Sequence, residues 1–332
     1  MSISAGVPDT LWKVTIAPTG QTDPTVTPRD SLIFCREHDP QLIGIGWRIR
    51  GVGSDKREAL RLVKEQRGKL PTEVKYIISS MKVGDHAWVY DKTDGSTYVC
   101  RITSDWKHAD GDDWDRFDIH NFREAIWHNV PKPLVLGAIT RRITNRGTAN
   151  KMHVEDVVRR YSALVFEKEL KVTDLLRRLN VSDLKEELRN WTPRKLFTAL
   201  DEYETEDVVG LYLQEALGWR MLKSSAYPSH PKVECQFQKV VDSTPQTAYM
   251  QVKSGKHVSL NPDAYAPLAK EGAQVFLFST ALDPYIENAS MEGVHTLSQE
   301  SIRSFTVANL ELLPSATLLK LGIFSEVLAP TS

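Results

Sequence analysis

The chain has 332 residues, a length that indicates two domains rather than one core. Hydrophobic residues make up 41% and charged residues 26%, the proportions of an ordinary globular protein. The formal net charge is −1, from 42 basic and 43 acidic residues, which excludes a histone-like protein that coats nucleic acid through its overall charge. Any surface that binds an anionic partner must therefore be local.

The cysteines and the apolar runs bear on the cellular compartment. Cys35, Cys100 and Cys235 lie far apart, fit no CxxC spacing and occur in apolar, strand-like stretches, so we expect buried free thiols. Free thiols suit a reducing cytoplasm. The first residues, MSISAGVPDTLW, lack a basic segment followed by an apolar run, which argues against a secretory signal. No run of about 18 apolar residues occurs, so no membrane span is expected.

The first 150 or so residues are rich in short β signals, and six of the eight tryptophans lie before residue 130. Asp55–Gln66 has the apolar spacing of a helix, and Asp91–Thr97 contains the Asp-Gly pair of a hairpin. These patterns predict a mainly β domain, a barrel or curled sheet with one or two helices. The predicted strands are Leu11–Ile16, Ser31–Cys35, Leu42–Trp47, His86–Tyr90, Tyr98–Ile102 and Val135–Ile139.

After this region the pattern changes to helices, then to strands and a closing helix, which predicts an α/β core. We therefore expect a mainly β domain at residues 1–152, a helical connector at residues 153–202 and an α/β domain at residues 203–332. The predicted helices are Val154–Glu167, Val172–Leu179, Asp183–Leu188, one starting at Thr192-Pro193, Glu204–Leu217 and Ser298–Asn309. The predicted strands are Val233–Phe237, Ala248–Val252 and Gln274–Ser279.

Three polar side chains of the last domain can converge. Glu234 lies in one predicted strand, and Gln251 and Lys253 lie two residues apart in the next. Alternation puts Gln251 and Lys253 on one face, so neighbouring strands would bring them to Glu234. A carboxylate, an amide oxygen and the backbone carbonyl of Val252 suit Mg²⁺ or Mn²⁺, and a lysine beside the ion can orient water and offset phosphate charge. The alternative is a surface ion pair.

This order of elements resembles the PD-(D/E)xK nuclease superfamily, and within it the Mrr-like restriction enzymes. The resemblance covers residues 203–282 and places Glu206 at the family's helical Glu, with Glu234 at its strand acid. It implies a restriction-endonuclease-like fold and metal-dependent DNA cleavage, with Glu206, Glu234, Gln251 and Lys253 as catalytic residues and Glu234, Gln251 and Val252 as metal ligands. The chain departs from the family in having Glu rather than Asp as the first acid, no glycine run before it and a long loop at residues 238–247. Because Gln leaves one carboxylate fewer, a non-catalytic derivative stays open.

Aromatic residues lie near the ends of strands in the first domain, where they can sandwich a base taken out of its stack. This layout, with GIGW upstream of a GD turn and an aromatic strand, resembles the EVE and PUA-like fold over Leu11 to Ile143. The resemblance implies recognition of a modified base in DNA or RNA, with Trp47, Trp88, Tyr90 and Trp106 as base-binding residues. The alternative is that the tryptophans form the barrel core. Candidate phosphate contacts are Arg48, Arg50, Lys56, Arg57, Arg141, Arg142, Arg146 and Lys151.

Two further polar segments can be interpreted either as solvated surface or as part of a functional site. Residues 110–115, DGDDWD, begin like a calcium loop, but the twelfth position is Asn121 rather than Glu, so a solvated acidic loop is favoured. Ser254, Lys256 and His257 follow the QxK pair and are either phosphate contacts or a polar turn.

Together these features predict a modification-dependent restriction-like endonuclease used in anti-phage defence. One alternative is a nucleic-acid sensor whose nuclease fold only binds, and another is an RNA-processing protein. Paired cuts in a duplex need two active sites, so we expect a homodimer. No GxxxxGK[ST] phosphate loop occurs in the sequence.

Overall fold

The structure is a computed structural model that describes residues 6–16, 25–145, 147–168, 172–222, 233–255, 258–286 and 291–328. The chain forms two units, the first made of Met1–Val135, Arg142–Leu175 and Glu326–Ser332, the second of Leu136–Arg141 and Leu176–Ser325. Our division at residues 152 and 202 stays a prediction, and residues 153–175 of the expected connector belong to the first unit. Within the described ranges, every helix is too short or too polar to cross a membrane.

The first unit is built on a mixed seven-stranded sheet. Its strands are β1 (Leu11–Val14), β2 (Leu42–Ile45), β3 (His86–Tyr90), β4 (Thr97–Ile102), β5 (Lys107–His108), β6 (Asn121–Val130) and β7 (Ala149–Met152). The order is β2-β6-β4-β3-β1-β7, with β5 paired to β6. β1 and β3 are parallel, and the other pairs are antiparallel. The sheet is curled like half a barrel, which confirms the expected curled sheet.

The helices between residues 28 and 178 are short, and most of them belong to the first unit. They are α1 (Pro28–Glu37), α2 (Lys56–Arg67), α3 (Thr72–Lys75), α4 (Asp112–Phe117), α5 (Gly137–Ile143), α6 (Asp156–Lys168) and α7 (Val172–Arg178). A π-helical turn, Tyr76–Ser80, follows α3. The buried guanidinium of Arg123 on β6 donates to the carbonyl oxygens of Ile77 and Ile78, at 2.8 and 3.1 Å, and so ties this turn to the sheet.

Two predicted strands are helices instead. Ser31–Cys35 lies inside α1, because Thr27 caps the helix, Pro28 occupies its first turn and Asp30 completes a capping box. Val135–Ile139 runs into α5, where Gly137 packs so closely that a Cβ atom would lie 1.8 Å from the Leu200 carbonyl oxygen. Both segments are short apolar runs, which periodicity alone does not assign to strand or helix.

The longest strand of the first unit, β6, was not predicted. It carries polar residues that are nonetheless buried, among them Asn121 and Arg123, each 0% exposed. Buried polar residues interrupt the alternation of apolar and polar positions that identifies a strand in sequence. All three cysteines are free thiols as expected, and Cys35 and Cys100 are buried, but Cys235 is only half-buried.

The second unit is an α/β structure around a five-stranded sheet in the order β12-β11-β10-β9-β8. Its strands are β8 (Arg220–Met221), β9 (Cys235–Val241), β10 (Thr244–Lys253), β11 (Gln274–Ser279) and β12 (Val294–Thr296). Its helices are α8 (Val181–Leu188), α9 (Pro193–Ala199), α10 (Glu202–Glu215), α11 (Ala266–Lys270), α12 (Gln299–Ala308) and α13 (Ser315–Leu328). The helix α13 was not predicted, because its sequence is apolar on all sides and shows no helical periodicity.

A buried ion network anchors the start of α10. Asp201 caps the helix and forms a capping box with Glu204. The ammonium group of Lys320, 1% exposed, lies 2.6 Å from a Glu204 carboxylate oxygen and 3.5 Å from Asp201. Removing the lysine from such a buried network would leave the carboxylates without a compensating positive charge, and removing the carboxylates would leave the lysine uncompensated. The network therefore fixes the end of the helix that carries Glu206.

Candidate functional site

The register of β9 and β10 brings the predicted acid to the predicted QxK pair. Cys235 pairs with Met250 across the antiparallel strands, and the Glu234 N–H donates to the Met250 carbonyl at 2.8 Å. Strand β9 begins at Cys235, so the last residues of β10 extend beyond it on that side. On the other side β10 continues to pair with β11, with Gln251 opposite Leu277. The side chains of Glu234, Gln251 and Lys253 meet at this step in the sheet, the place where β9 begins and β10 continues alone on that side.

One carboxylate oxygen of Glu234 accepts from both side chains of the QxK pair. The Gln251 amide donates to Glu234 Oε1 at 2.5 Å, and the Lys253 ammonium donates to the same atom at 3.3 Å. The Gln251 side chain is buried, whereas the side chains of Lys253 and Glu234 are 38% and 29% exposed. The site thus has a buried inner wall and an edge that is open to solvent.

The backbone carbonyl of Val252 faces the same point. Carbonyls two residues apart in a strand point the same way, and the Met250 carbonyl is the one bonded to Glu234. Accordingly, the Gln251 amide also donates to the Val252 oxygen, at 3.1 Å. The amide nitrogen of Gln251 therefore bridges two oxygen acceptors, one from Glu234 and one from Val252.

Glu206 on α10 belongs to the same electrostatic environment. Burial raises the pKa of Glu206 to about 7, the negative charges of Glu234 and Glu202 add to this increase, and Lys253 opposes it. Burial also raises the pKa of Tyr265, with a smaller contribution from Glu234. A carboxyl group with a pKa near neutrality can exchange protons at physiological pH, as an acid–base residue must. The charges of Glu234 and Lys253 therefore influence the proton affinity of Glu206.

The residues present fit a hard divalent cation. Turning the Gln251 amide over exchanges its nitrogen and oxygen with little change of shape. Three oxygens, from Glu234, Gln251 and Val252, would then face one another, and only a cation between them would offset their repulsion. Oxygen ligands of this kind suit Mg²⁺ and Mn²⁺.

The segment after the QxK pair adds one polar atom. The Ser254 hydroxyl oxygen is buried and has no hydrogen-bond partner among the residues described. The Gly255 N–H donates to Thr280 Oγ1 at 2.8 Å, which holds the turn that follows. Lys256 and His257, the other candidate phosphate contacts, lie outside the described residues.

The four candidate base-binding residues lie in two places, and one of them, Trp88, has the core position that the alternative interpretation gave to the tryptophans. Trp88 is 0% exposed, and its indole N–H donates to Ser162 on α6 at 2.9 Å, so no face of the ring is open to a base. Tyr90, two residues along the same face of β3, is half-buried. Helix α6 covers this side of the sheet, and sequence alternation alone could not show that.

Trp47 and Trp106 instead meet at Asn121. Trp106 is 6% exposed, and its indole N–H donates to Asn121 Oδ1 at 3.3 Å. The Asn121 amide nitrogen donates to the carbonyls of Gly46 and Trp47, at 2.9 and 2.8 Å. Trp47 is half-buried, lies near the Arg67 guanidinium and has a φ of 72°, a conformation that is rare for a large side chain. Trp47 is thus the most accessible of the three candidate tryptophans.

Several candidate phosphate contacts are engaged within the protein. Arg48 pairs with Asp110 and Asp115, at 3.0 and 2.8 Å, and Lys56 pairs with Asp105 at 2.5 Å. The remaining candidates divide into three sets: Arg141 and Arg142 donate to backbone carbonyls, Arg50, Arg57 and Lys151 are exposed, and Arg146 lies outside the described residues.

The structure also shows a group that the sequence analysis did not identify. Asp110, Asp115 and His120 each place one potential metal-ligand atom within 4.8 Å of the others. Residues 110–115 were predicted to be a solvated loop, and most of this segment is the first part of α4. The overlooked signal was the pair of histidines, His108 and His120, that flanks the acidic segment.

Comparison with known proteins gave matches among solved structures alone. No family model matches the chain, and no curated protein matches it. The chain is similar to the DNA modification-dependent restriction endonuclease AspBHI, with a TM-score of 0.27 and 9% identity over 87% of this chain and 80% of that one. It is also similar to the MspJI restriction endonuclease in complex with a 27-mer oligonucleotide, with a TM-score of 0.25 and 10% identity over 80% of this chain and 69% of that one.

Proposed function

We propose that this protein is a modification-dependent endonuclease that hydrolyses DNA phosphodiester bonds in its second unit with Mg²⁺ or Mn²⁺. The observation that carries the proposal is the convergence of Gln251 and Lys253 on one carboxylate oxygen of Glu234, beside the Val252 carbonyl, which also accepts from Gln251. The alternative, a surface ion pair between Lys253 and Glu234, does not explain why the buried Gln251 amide also donates to Glu234 and Val252. An acid, an amide and an ammonium group at one step in a sheet are the parts that metal-dependent phosphodiester hydrolysis requires.

Each residue has a distinct role in the proposal. Glu234, Gln251 and Val252 would hold the ion, whose chemistry is the polarisation of a phosphate oxygen. Lys253, partly exposed at the open edge, offsets the negative charge that develops on the phosphate. Glu206, whose pKa is raised to about 7, takes the proton of the attacking water.

For the first unit we propose the recognition of a modified base, with Trp47 as the stacking residue. Trp47 follows β2, is partly accessible and is held by the bond from Asn121 to its carbonyl oxygen. The exposed residues Arg50 and Arg57 are then the candidates for phosphate contact. In this proposal the first unit selects the DNA and the second cuts it.

A second candidate is a nucleic-acid sensor that binds but does not cut. The observation that favours it is the Gln251 amide nitrogen, which donates to Glu234 and so occupies the carboxylate oxygen that an ion would need. With one carboxylate instead of two, the ion would bind more weakly than in a site with an additional acid. The two candidates differ in whether Mg²⁺ or Mn²⁺ supports cleavage.

The test is cleavage by the full chain of three substrates: duplex DNA with methylated cytosine, the same duplex unmodified, and RNA of the same sequence. We expect cleavage of the methylated duplex with Mg²⁺ or Mn²⁺ and none in EDTA. Glu234→Ala and Lys253→Ala should each lower the cleavage rate by about 100-fold or more while retaining DNA binding.

Lys270→Ala and Glu271→Ala are matched controls, since both side chains are exposed at the end of α11. They should cleave at the wild-type rate. Wild-type cleavage by both Glu234→Ala and Lys253→Ala would overturn the site. Retention of methylated DNA without cleavage under either ion would favour the sensor, and preferential cleavage of RNA would overturn the DNA assignment.

A further inference from the structure

A second polar cluster lies in the first unit, where β5, α4 and β6 meet. His108 ends β5, Asp110 follows it, Asp115 lies on α4, and His120 directly precedes β6. The His120 Nε2 atom lies 3.6 Å from an Asp115 carboxylate oxygen, and the His108 Nε2 atom lies 3.6 Å from Asp110. Both histidine side chains are buried, at 7% and 4% exposed, while the two carboxylates are 40% exposed.

Both imidazole rings are oriented by a hydrogen bond at Nδ1. His120 Nδ1–H donates to the Ala109 carbonyl at 3.0 Å. His108 Nδ1–H donates to Asn121 Oδ1 at 3.3 Å, an atom identified as oxygen because the Asn121 nitrogen donates to two carbonyls. A neutral histidine that donates from Nδ1 carries its lone pair on Nε2. Histidines that bind metal ions are fixed in this way by an oxygen behind the ring.

The lone pair of His108 has nothing to bind. Its Nε2 atom is buried and has no hydrogen-bond partner in the part of the chain that the structure covers. A buried polar atom without a partner is costly, and in native proteins it usually marks a missing ion, water or ligand. This atom faces the carboxylate of Asp110, 3.6 Å away.

We propose that His108, Asp110, Asp115 and His120 form a binding site for a zinc-class transition-metal ion, separate from the Mg²⁺ site proposed for the second unit. Two imidazole nitrogens and two carboxylate oxygens are a donor set that suits Zn²⁺ better than Mg²⁺. In a tetrahedral zinc site with bonds of about 2.0 to 2.1 Å, neighbouring donor atoms lie about 3.4 Å apart. The separations within the His108–Asp110 and His120–Asp115 pairs, both 3.6 Å, are close to this value. The potential ligand atoms of Asp110, Asp115 and His120 lie within 4.8 Å of one another, and His108 meets this group through Asp110.

Arg48 is the cation that meets these carboxylates in the metal-free protein. Its guanidinium bridges Asp110 and Asp115, at 3.0 and 2.8 Å, and its side chain is 48% exposed. A metal ion therefore competes with Arg48 for the two carboxylates. Because the Arg48 side chain is half-exposed, it can move into solvent when the ion displaces it. The bound ion would join β5, α4 and β6 next to Trp47, and would release a positive charge close to the proposed base-reading residue.

The experiment is titration of the full chain with Co²⁺, followed by competition with Zn²⁺. A four-coordinate site with nitrogen ligands should give intense visible absorption that Zn²⁺ abolishes, whereas six-coordinate Co²⁺ bound by oxygens absorbs weakly. His108→Gln and His120→Gln should each lower the affinity by about tenfold or more. Arg48→Met should raise it by about tenfold, because it removes the competing cation.

Two controls separate this site from others. His153→Gln replaces an exposed histidine of the same unit and should leave the titration unchanged, and so should Glu271→Gln, which replaces an exposed residue of the second unit. Unchanged affinity in both His108→Gln and His120→Gln, or weak absorption alone in the wild type, would overturn the proposal. If either histidine variant fails to fold, thermal unfolding decides: Zn²⁺ should raise the Tm of wild type and raise that of Arg48→Met further, and no rise in either would refute the site.

Discussion

The ammonium nitrogen of Lys253 lies 3.3 Å from Oε1 of Glu234, although the two residues are 19 positions apart in sequence. The relationship arises because β9 and β10 are antiparallel and β10 extends beyond the start of β9. The ion pair between Lys253, at the end of β10, and Glu234, just before β9, is thereby held beside the side chain of Gln251. The proposed nuclease site depends on this register, since a slip of one residue would turn Gln251 and Lys253 to the opposite face.

Replacing Gln251 with Glu tests whether this position is a metal ligand. We expect Gln251→Glu to bind Mn²⁺ about tenfold more tightly or better, because it adds a carboxylate to the ligand set. In EDTA the variant should be about 1 to 3 kcal/mol less stable than wild type near neutral pH, since a buried carboxylate replaces the amide that donates to Glu234. Thermal and urea unfolding with and without Mn²⁺ measure both effects.

Gln238→Glu provides the matched control for this substitution, because Gln238 is exposed on β9. Its stability should respond little to EDTA or Mn²⁺. If Gln251→Glu were as stable as wild type in EDTA and bound Mn²⁺ no better, Gln251 would not face the ion.

The raised pKa of Glu206 predicts a pH dependence of stability in the metal-free protein. The folded-state pKa of about 7 exceeds the ordinary 4.5, so the contribution of this group is fully present below about pH 4.5 and is lost as the pH rises through 7. Glu206→Gln keeps the neutral form at every pH. It should match wild type at about pH 4 and exceed it by about 1 to 3 kcal/mol at about pH 8.

Urea unfolding at the two pH values, in EDTA, checks this prediction. The control is Glu271→Gln, which alters an exposed side chain on the same unit and should show no pH-dependent difference from wild type. Equal stability of Glu206→Gln and wild type at about pH 8 would contradict the burial of a charged Glu206.

Trp47 and Trp88 should respond differently to truncation. Trp88→Ala removes a ring that is 0% exposed and bonded to Ser162, and should cost about 3 to 5 kcal/mol of unfolding free energy. Trp47→Ala should cost much less stability. It should weaken retention of methylated DNA by roughly 1 to 3 kcal/mol, the usual contribution of one base–aromatic stack.

Urea unfolding and fluorescence anisotropy with a methylated duplex separate the two effects. Tyr203→Ala is the reference, because Tyr203 is 74% exposed in the second unit and should change neither quantity. Undiminished DNA retention by Trp47→Ala would remove Trp47 from the base-reading proposal.

Lys320 provides a test of how firmly α10 is anchored. Lys320→Met should destabilise the protein by about 3 to 5 kcal/mol, because it leaves the carboxylates of Asp201 and Glu204 without their buried cation. Lys168→Met breaks an exposed pair with Glu326 and should cost about 1 kcal/mol or less. Urea unfolding measures both, and equal costs would show that the Lys320 network is not effectively buried.

Local patterns predicted part of the candidate site, and long-range packing accounts for the remainder. Period-two alternation was sufficient to put Gln251 and Lys253 on one face, and the structure brings both to Glu234. Alternation also grouped Trp88 with Tyr90, but it contains no information about α6, which covers Trp88. The helix at Ser31–Cys35 was missed because its cap, Thr27 with Pro28, precedes the apolar run that was taken for a strand.

The amino-acid sequence by itself determined part of the succession of elements and the acid, amide and lysine of the proposed nuclease site, because these depend on neighbours a few positions apart. Only the tertiary structure decided that Gln251 bridges Glu234 and Val252, that burial raises the pKa of Glu206, and that His120 lies beside Asp110 and Asp115. Burial, charge coupling and hydrogen-bond partners are set by residues far apart along the chain, and these exist only once the chain has folded.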